Sequence, residues 1–301
     1  MTTTATRRRR IRSPLDSYRN AVFLLAPTVA LIFLYKYVPI GQAIWASLNA
    51  FSVAGNPLAF VGLDNFVHVL TDVSFLHSLA LTVIFAAVKI PLQLALGLGA
   101  ALLLYQSSAF NSVLRVVIVI PAITPIAIIG IIFLFLFDRE VGLTNAFLTA
   151  FGVGRVSWLT TPATAQAVVA VASIWRDAGF TMLIYLAGLT AIPTQVREAA
   201  RIDGANGWQS TTRIILPMLQ RSTQLATVTT TIAAFQFFAP IFVLTRGGPQ
   251  DATDVAAYHI YEQAFVFYDQ GTANAMSVIL VSLIVVITTV ELYVLRSRWE
   301  Y

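Results

Sequence analysis

Apolar residues run in long unbroken blocks, unlike the one-face stripe of a soluble helix or the alternation of a half-buried strand. Six such blocks occupy residues 20–46, 76–104, 112–137, 165–190, 217–243 and 273–296. A helix rises 1.5 Å per residue, so about 20 residues match the roughly 30 Å hydrocarbon core of a bilayer. A helix also satisfies its own backbone polar groups, which lipid cannot do. The pattern predicts an all-α integral membrane protein with six transmembrane helices. Residues 20–301 are expected to form one domain behind a basic arm at 1–19. The first block exceeds a signal-peptide core and lacks an A-x-A cleavage pattern, so it is expected to remain as a span.

Composition narrows the function classes. Hydrophobic residues make up 57% of the 301 and charged residues 11%, against about 45–50% and about 25% in soluble domains. With no cysteine in the chain, disulfides, thiolate metal sites and a Cys nucleophile are excluded. The net charge of +5 does not indicate nucleic acid, because the basic residues collect at the chain ends and in one loop. Lys and Arg resist translocation and mark the cytoplasmic side. With the N-terminus inside, that side holds Arg7, Arg8, Arg9, Arg10, Arg12, Arg19, Arg115, Arg197, Arg201, Arg213, Arg221, Arg296 and Arg298. The outside holds only Arg139, Arg155 and Arg246. Both termini are therefore expected in the cytoplasm, and the Arg7–Arg10 cluster reads as an arm resting on anionic lipid.

The one sizeable polar segment between blocks, within 191–216, reads as two short helices. Pro193 and Thr194 can open the first, with Thr194 capping free N–H groups, and Gly204 can end it in the left-handed region. Asn206 and Gln209 have capping-box spacing for the second, and Pro217 begins the fifth span. Val196, Ala199 and Ala200 form a narrow stripe of small side chains that another surface can approach closely. Two readings stand on these residues alone: a docking element, or a plain connector.

Glu198-Ala199-Ala200, three residues, Gly204, nine residues, then Ile214-x-Leu216-Pro217 resembles the EAA loop of permease subunits in binding-protein-dependent ABC importers. The fuller string EAARIDGANGWQ is similar to the carbohydrate-uptake branch, with its maltose-type and glycerol-3-phosphate-type permeases. FVGLDNF at 60–66, LAGLTAIP at 186–193 and LTRGGP at 244–249 agree with it, so the resemblance covers most of the chain. It implies a coupling helix docked in a cleft of a cytoplasmic ATPase subunit, with Glu198, Asp203 and Gly204 touching or shaping the joint. It further implies a second permease subunit, two ATP-binding subunits carrying ATP and Mg, and an extracytoplasmic solute-binding protein at a bacterial inner membrane. Relatives usually carry Phe where this chain has Thr211, and Trp208 is the candidate replacement. The chain has no G-x-x-x-x-G-K-[ST] loop, so ATP hydrolysis belongs to a partner and no cofactor is expected on this chain. GLGAAL at 97–102 reads as a helix-packing surface.

Ionisable residues inside a span are functional candidates. Arg176 and Asp177 lie mid-way along the fourth span beside Trp175, and Lys89 mid-way along the second. Adjacent residues point about 100° apart on a helix, so Arg176 and Asp177 are not expected to face each other. Lys89 and Asp177 admit a structural ion pair; alternatively Lys89 or Arg176 presents positive charge to a solute, with Trp175 as an aromatic platform. Gln236, Asn274 and Ser277 add neutral hydrogen-bonding groups to such a path, or serve as contacts between helices. The implied solute is a sugar, glycerol 3-phosphate or a glycerophosphodiester. Lys36 is expected to snorkel at the outer end of its span, and Glu291 to be solvated at the inner end of the last. The loop at 244–271, with Asp251 and Asp254, is a candidate receptor-facing surface or a structural turn. An ion-coupled secondary transporter is the rival reading, but it does not need the EAA loop. His68, His77 and His259 show no metal-ligand spacing, so no metal site is expected.

Overall fold

The computed structural model describes residues 14–295, and side chains from Val22 onward. Most of the basic arm and both C-terminal arginines lie outside the described residues. The chain enters through α1 (Pro14–Ile32), a π-helical turn (Phe33–Tyr37) and α2 (Val38–Ser47), which together form the first span. Residues 22–37 are exposed throughout, Lys36 among them, whereas α2 packs on the last helix, α15 (Gln270–Val294). A short antiparallel hairpin of β1 (Asn49–Phe51) and β2 (Pro57–Phe60) follows, so the fold is not purely helical. Its end of the bundle is called the hairpin end below.

Next come α3 (Asp64–Thr71), α4 (Val73–Leu104), α5 (Ala109–Ile123), α6 (Ile126–Leu136), α7 (Leu143–Ala150) and α8 (Pro162–Ala191). The second span starts where Asp72 accepts a hydrogen bond from Ser74 N–H at 2.9 Å, and α5 where Ser108 accepts from Asn111 N–H at 3.0 Å. The expected third span, 112–137, is broken: α5 and α6 meet at 100°. Thr124 precedes Pro125 and is extended, at φ −75° and ψ 135°, because the proline ring disfavours helical backbone just before it. Among the described residues, five helices are thus long and apolar enough to span, or six if the bent pair counts as one.

The remaining elements are α9 (Thr194–Ile202), α10 (Gly207–Ser210), a π-helical turn (Thr211–Ile215), α11 (Leu216–Met218), α12 (Gln220–Phe235), α13 (Ala239–Leu244), α14 (Ala256–Phe265) and α15. Helix α8 is the hub, packed along α4, α5 and α12, while α15 closes against α12, α14 and α3. Close packing at the hub depends on glycines, two of them at its α4 and α5 contacts. Gly97 of α4 lies against Thr181, where a Cβ would come within 2.6 Å of the Thr methyl carbon, as the packing reading of GLGAAL requires. Gly179 of α8 lies against α5, where a Cβ would stand 2.3 Å from the Ile118 carbonyl oxygen. That neighbour is backbone and cannot rotate away. Gly179→Ala is expected to destabilise the detergent-solubilised protein by about 1–3 kcal/mol, an overpacking cost, read as a lower midpoint of thermal aggregation. An unchanged midpoint would contradict the α5–α8 contact.

Candidate functional site

Two features gather the functional candidates, one inside the bundle and one at the end opposite the hairpin. Inside, α4 and α8 bring Lys89 and Asp177 together, with Lys89 Nζ 2.8 Å from Asp177 Oδ2. Lys89 is fully buried and sits 5.2 Å from the Phe237 ring centre. Asp177 Oδ1 also accepts from Arg176 Nη1 at 2.9 Å, contrary to the expectation that neighbours on a helix cannot pair. The 100° argument holds for Cβ directions, but the long guanidinium arm curls back around the helix to reach the carboxylate. One carboxylate therefore serves two cations, and the cluster keeps one net positive charge.

One turn beyond Lys89, Gln93 Nε2 donates to Thr181 Oγ1 at 2.9 Å and lies 3.4 Å from Thr230 Oγ1, joining α4, α8 and α12. Sequence reasoning missed this trio, because nothing in the sequence brings three polar residues from three spans together. Gln93 Oε1 and Arg176 Nε are buried without a hydrogen-bond partner among the described residues. A cavity of about 280 Å³ opens beside them, lined by Gln93, Arg176, Asp177, Phe180, Thr229 and Thr230. The exposed Gln236 follows Thr229 and Ala233 at helical spacing and continues that face.

Trp175 does not join them. It points to an adjacent face of α8, with its ring 5.6 Å from Phe133, and lines an apolar hollow with Pro121 and Leu96. Asn274 and Ser277 are likewise apart, donating back to their own helix at Gln270 O (2.7 Å) and Ala273 O (2.9 Å). Nor is Glu291 simply solvated: its Oε1 accepts from buried Thr231 Oγ1 at 2.7 Å, and its buried Oε2 has no partner among the described residues. Side chains on a helix lean toward its N-terminus, which carries Glu291 back toward mid-span.

At the far end, α9 and α10 form a tight corner. Gly204 has φ +79°, Ala205 N–H donates to Ala200 O at 2.9 Å, and Gly204 N–H donates to Arg201 O at 3.1 Å. This is a Schellman closure, which a left-handed glycine permits. Asn206 and Gln209 form a reciprocal capping box, with Gln209 N–H to Asn206 Oδ1 at 2.8 Å and Asn206 N–H to Gln209 Oε1 at 3.0 Å. Thr194 makes no cap hydrogen bond; Pro193 occupies the cap position instead.

The small-residue stripe divides. Ala200 is buried and Val196 packs on the transmembrane core with Ile215 and Leu219, while Ala199 stays outside. The outer rim presents Glu198, Ala199, Asp203 and Gly204, with Ile202 86% and Trp208 77% exposed. Ile214 and Leu216 are half-buried and Pro217 exposed, and Thr211 Oγ1 merely donates to Gly207 O at 2.9 Å. Arg197 is not a free surface charge: it donates to Leu189 O at 3.0 Å and stacks 4.4 Å from the Tyr105 ring centre. Arg115 similarly donates to Leu104 O at the end of α4, with Nε at 2.8 Å. Both cations satisfy carbonyls that helix C-termini leave open, so part of the basic bias is structural.

The folded corner lies within a stretch of the chain that matches a known family. Residues 93–299 match the family described as binding-protein-dependent transport system inner membrane component. The chain belongs to that family. Among similar permeases is the sulfoquinovosyl glycerol transport system permease protein SmoG of Agrobacterium fabrum, 32% identical, aligned over 92% of this chain and 91% of the relative. The sn-glycerol-3-phosphate transport system permease protein UgpA of Brucella abortus is 34% identical over 93% and 95%. In fold, the permease superposes on a chain of a bacterial alginate ABC transporter crystallised with an alginate pentasaccharide-bound periplasmic protein. The TM-score is 0.83 at 21% identity, covering 96% of this chain and 98% of that one.

The permease's 244–271 loop places its two candidate aspartates differently. Asp251 is exposed, but Asp254 is buried, with Oδ2 accepting from Ser78 Oγ at 2.7 Å and lying 2.8 Å from His259 Nδ1. Asp254 therefore faces α4. Burial would lower the His259 pKa, but the hydrogen bond and charge of Asp254 outweigh it and hold the imidazole above its usual range. Burial, assisted by the Glu262 charge, pushes the Tyr258 phenol up to about 12. His68 and His77 are exposed, as interfacial histidines are.

Proposed function

We propose that this permease pairs with a second, different permease subunit to form the path for a sugar, glycerol 3-phosphate or glycerophosphodiester delivered by an extracytoplasmic solute-binding protein. Both termini and the α9–α10 corner face the cytoplasm in this reading, supported by the Lys and Arg distribution. Two partner ATPases bind ATP and Mg, and the corner carries their closure into the spans. The names of the relatives, which specify sulfoquinovosyl glycerol and sn-glycerol 3-phosphate, support a polyhydroxylated solute.

The observation that carries the path is the cavity at α4, α8 and α12, where a cationic cluster adjoins an amide oxygen and two threonine hydroxyls. Hydroxyl-rich solutes need such mixed donors and acceptors, and an unpaired buried Gln93 Oε1 is ready to accept from one. Trp175, Asn274 and Ser277 are outside this path. In vesicles holding the whole complex with its own receptor, Arg176→Ala and Gln93→Leu are each expected to cut ATP-driven uptake at least about tenfold, one lost hydrogen bond to a charged or buried group. Receptor-stimulated ATP hydrolysis is expected to persist. Unchanged uptake in both variants would rule out this cavity as the path.

A further inference from the structure

A separate cluster lies at the hairpin end, outside both the cavity and the α9–α10 corner. Asp254, His259 and Glu262 each offer one ligand atom, and these atoms all lie within 4.8 Å of one another. His259 and Glu262 are one helical turn apart on α14, and Asp254 sits just before that helix. Asp254 Oδ2 receives both local contacts, from Ser78 and His259, whereas its Oδ1 is buried with no partner among the described residues. The Asp254 side chain is only 8% exposed. A buried carboxylate oxygen without a donor is costly and normally marks a bound cation or water. Outer hydroxyls already hold both acids, Ser78 on Asp254 and Tyr258 on Glu262, as metal-ligating carboxylates are commonly held.

We propose that Asp254, His259 and Glu262 bind a divalent cation of the zinc type. One imidazole and two carboxylates suit zinc, whereas magnesium and calcium take oxygen alone. Three protein ligands leave the remaining position to water. The cation ties the segment ahead of α14 to that helix, which is seated on the N-terminal part of α4, where Ser78 holds Asp254, Phe75 flanks His259 at 6.1 Å, and Thr82 Oγ1 accepts from Ala256 N–H at 2.8 Å.

The test uses the full-length chain in detergent, purified on a histidine-free tag, stripped with chelator and titrated calorimetrically with zinc chloride. One zinc per chain is expected, with at least tenfold weaker binding in His259→Gln and in Glu262→Gln, unchanged binding in His77→Gln, and no uptake of magnesium. Zinc X-ray absorption on the wild type is expected to show nitrogen and oxygen neighbours at about 2.0–2.1 Å. Equal zinc affinity in the wild type and both variants would overturn the site. If a variant fails to fold, the wild type decides alone: a chain that retains no zinc after dialysis refutes the proposal.

Discussion

A chain carrying Glu198→Lys and Gly204→Asp is expected to insert and fold normally, yet to lose receptor-stimulated ATP hydrolysis and ATP-driven uptake in the assembled transporter. The Gly204 position tolerates the change structurally, since a Cβ there meets nothing within 4 Å and only the left-handed backbone is strained. That strain costs about 1–2 kcal/mol. Glu198 is exposed and makes no ion pair among the described residues, so its reversal disturbs no internal contact. The lesion therefore falls on whatever docks against the rim. Trp208→Ala is expected to weaken the same joint, since a tryptophan 77% exposed in the lone chain and covered by a partner typically accounts for at least about 2 kcal/mol, or roughly 30-fold in affinity. The check is ATPase stimulation measured beside complex recovery. Full stimulation in the double variant would mean that the α9–α10 corner only connects two spans.

Asp177→Asn is the substitution expected to harm stability most. It leaves Lys89, which is fully buried, without its countercharge, and breaking one side of a buried pair costs about 3–5 kcal/mol. Lys89→Met should be milder, because Asp177 keeps Arg176 as a partner at 2.9 Å. Adding Lys89→Met to Asp177→Asn should recover most of the lost stability, since no buried charge then stands alone. The series is read as thermal aggregation midpoints of the detergent-solubilised protein. Equal losses for both single variants and no recovery in the double would contradict the shared-carboxylate arrangement.

The spans were legible because length and hydropathy alone decide them, and the α9–α10 corner because Gly204, Asn206 and Gln209 act on their own backbone within a few residues. The break at Thr124–Pro125 was hidden in an unbroken apolar run. Pro91 and Pro121 lie inside α4 and α5 without ending them, so a proline in such a run does not announce its effect. Lys89 and Asp177 were legible as a candidate pair because charge in a span needs a partner. Trp175 stands two residues before Asp177, which on a helix places it on a different face, so closeness in sequence did not bring it to the same cavity. The Gln93, Thr181 and Thr230 junction and the Asp254–His259 pairing depend on contacts between elements far apart in the chain, which no local pattern encodes. The hairpin was missed because its strands have only three and four residues.

The most direct test is gentle purification of the tagged chain from its native membrane, followed by identification of what comes with it. The account predicts a second permease, a P-loop ATPase, and ATP hydrolysis that rises when the loaded solute-binding protein is added. Recovery of the chain without an ATPase, together with uptake driven by an ion gradient, would contradict it and favour a secondary transporter.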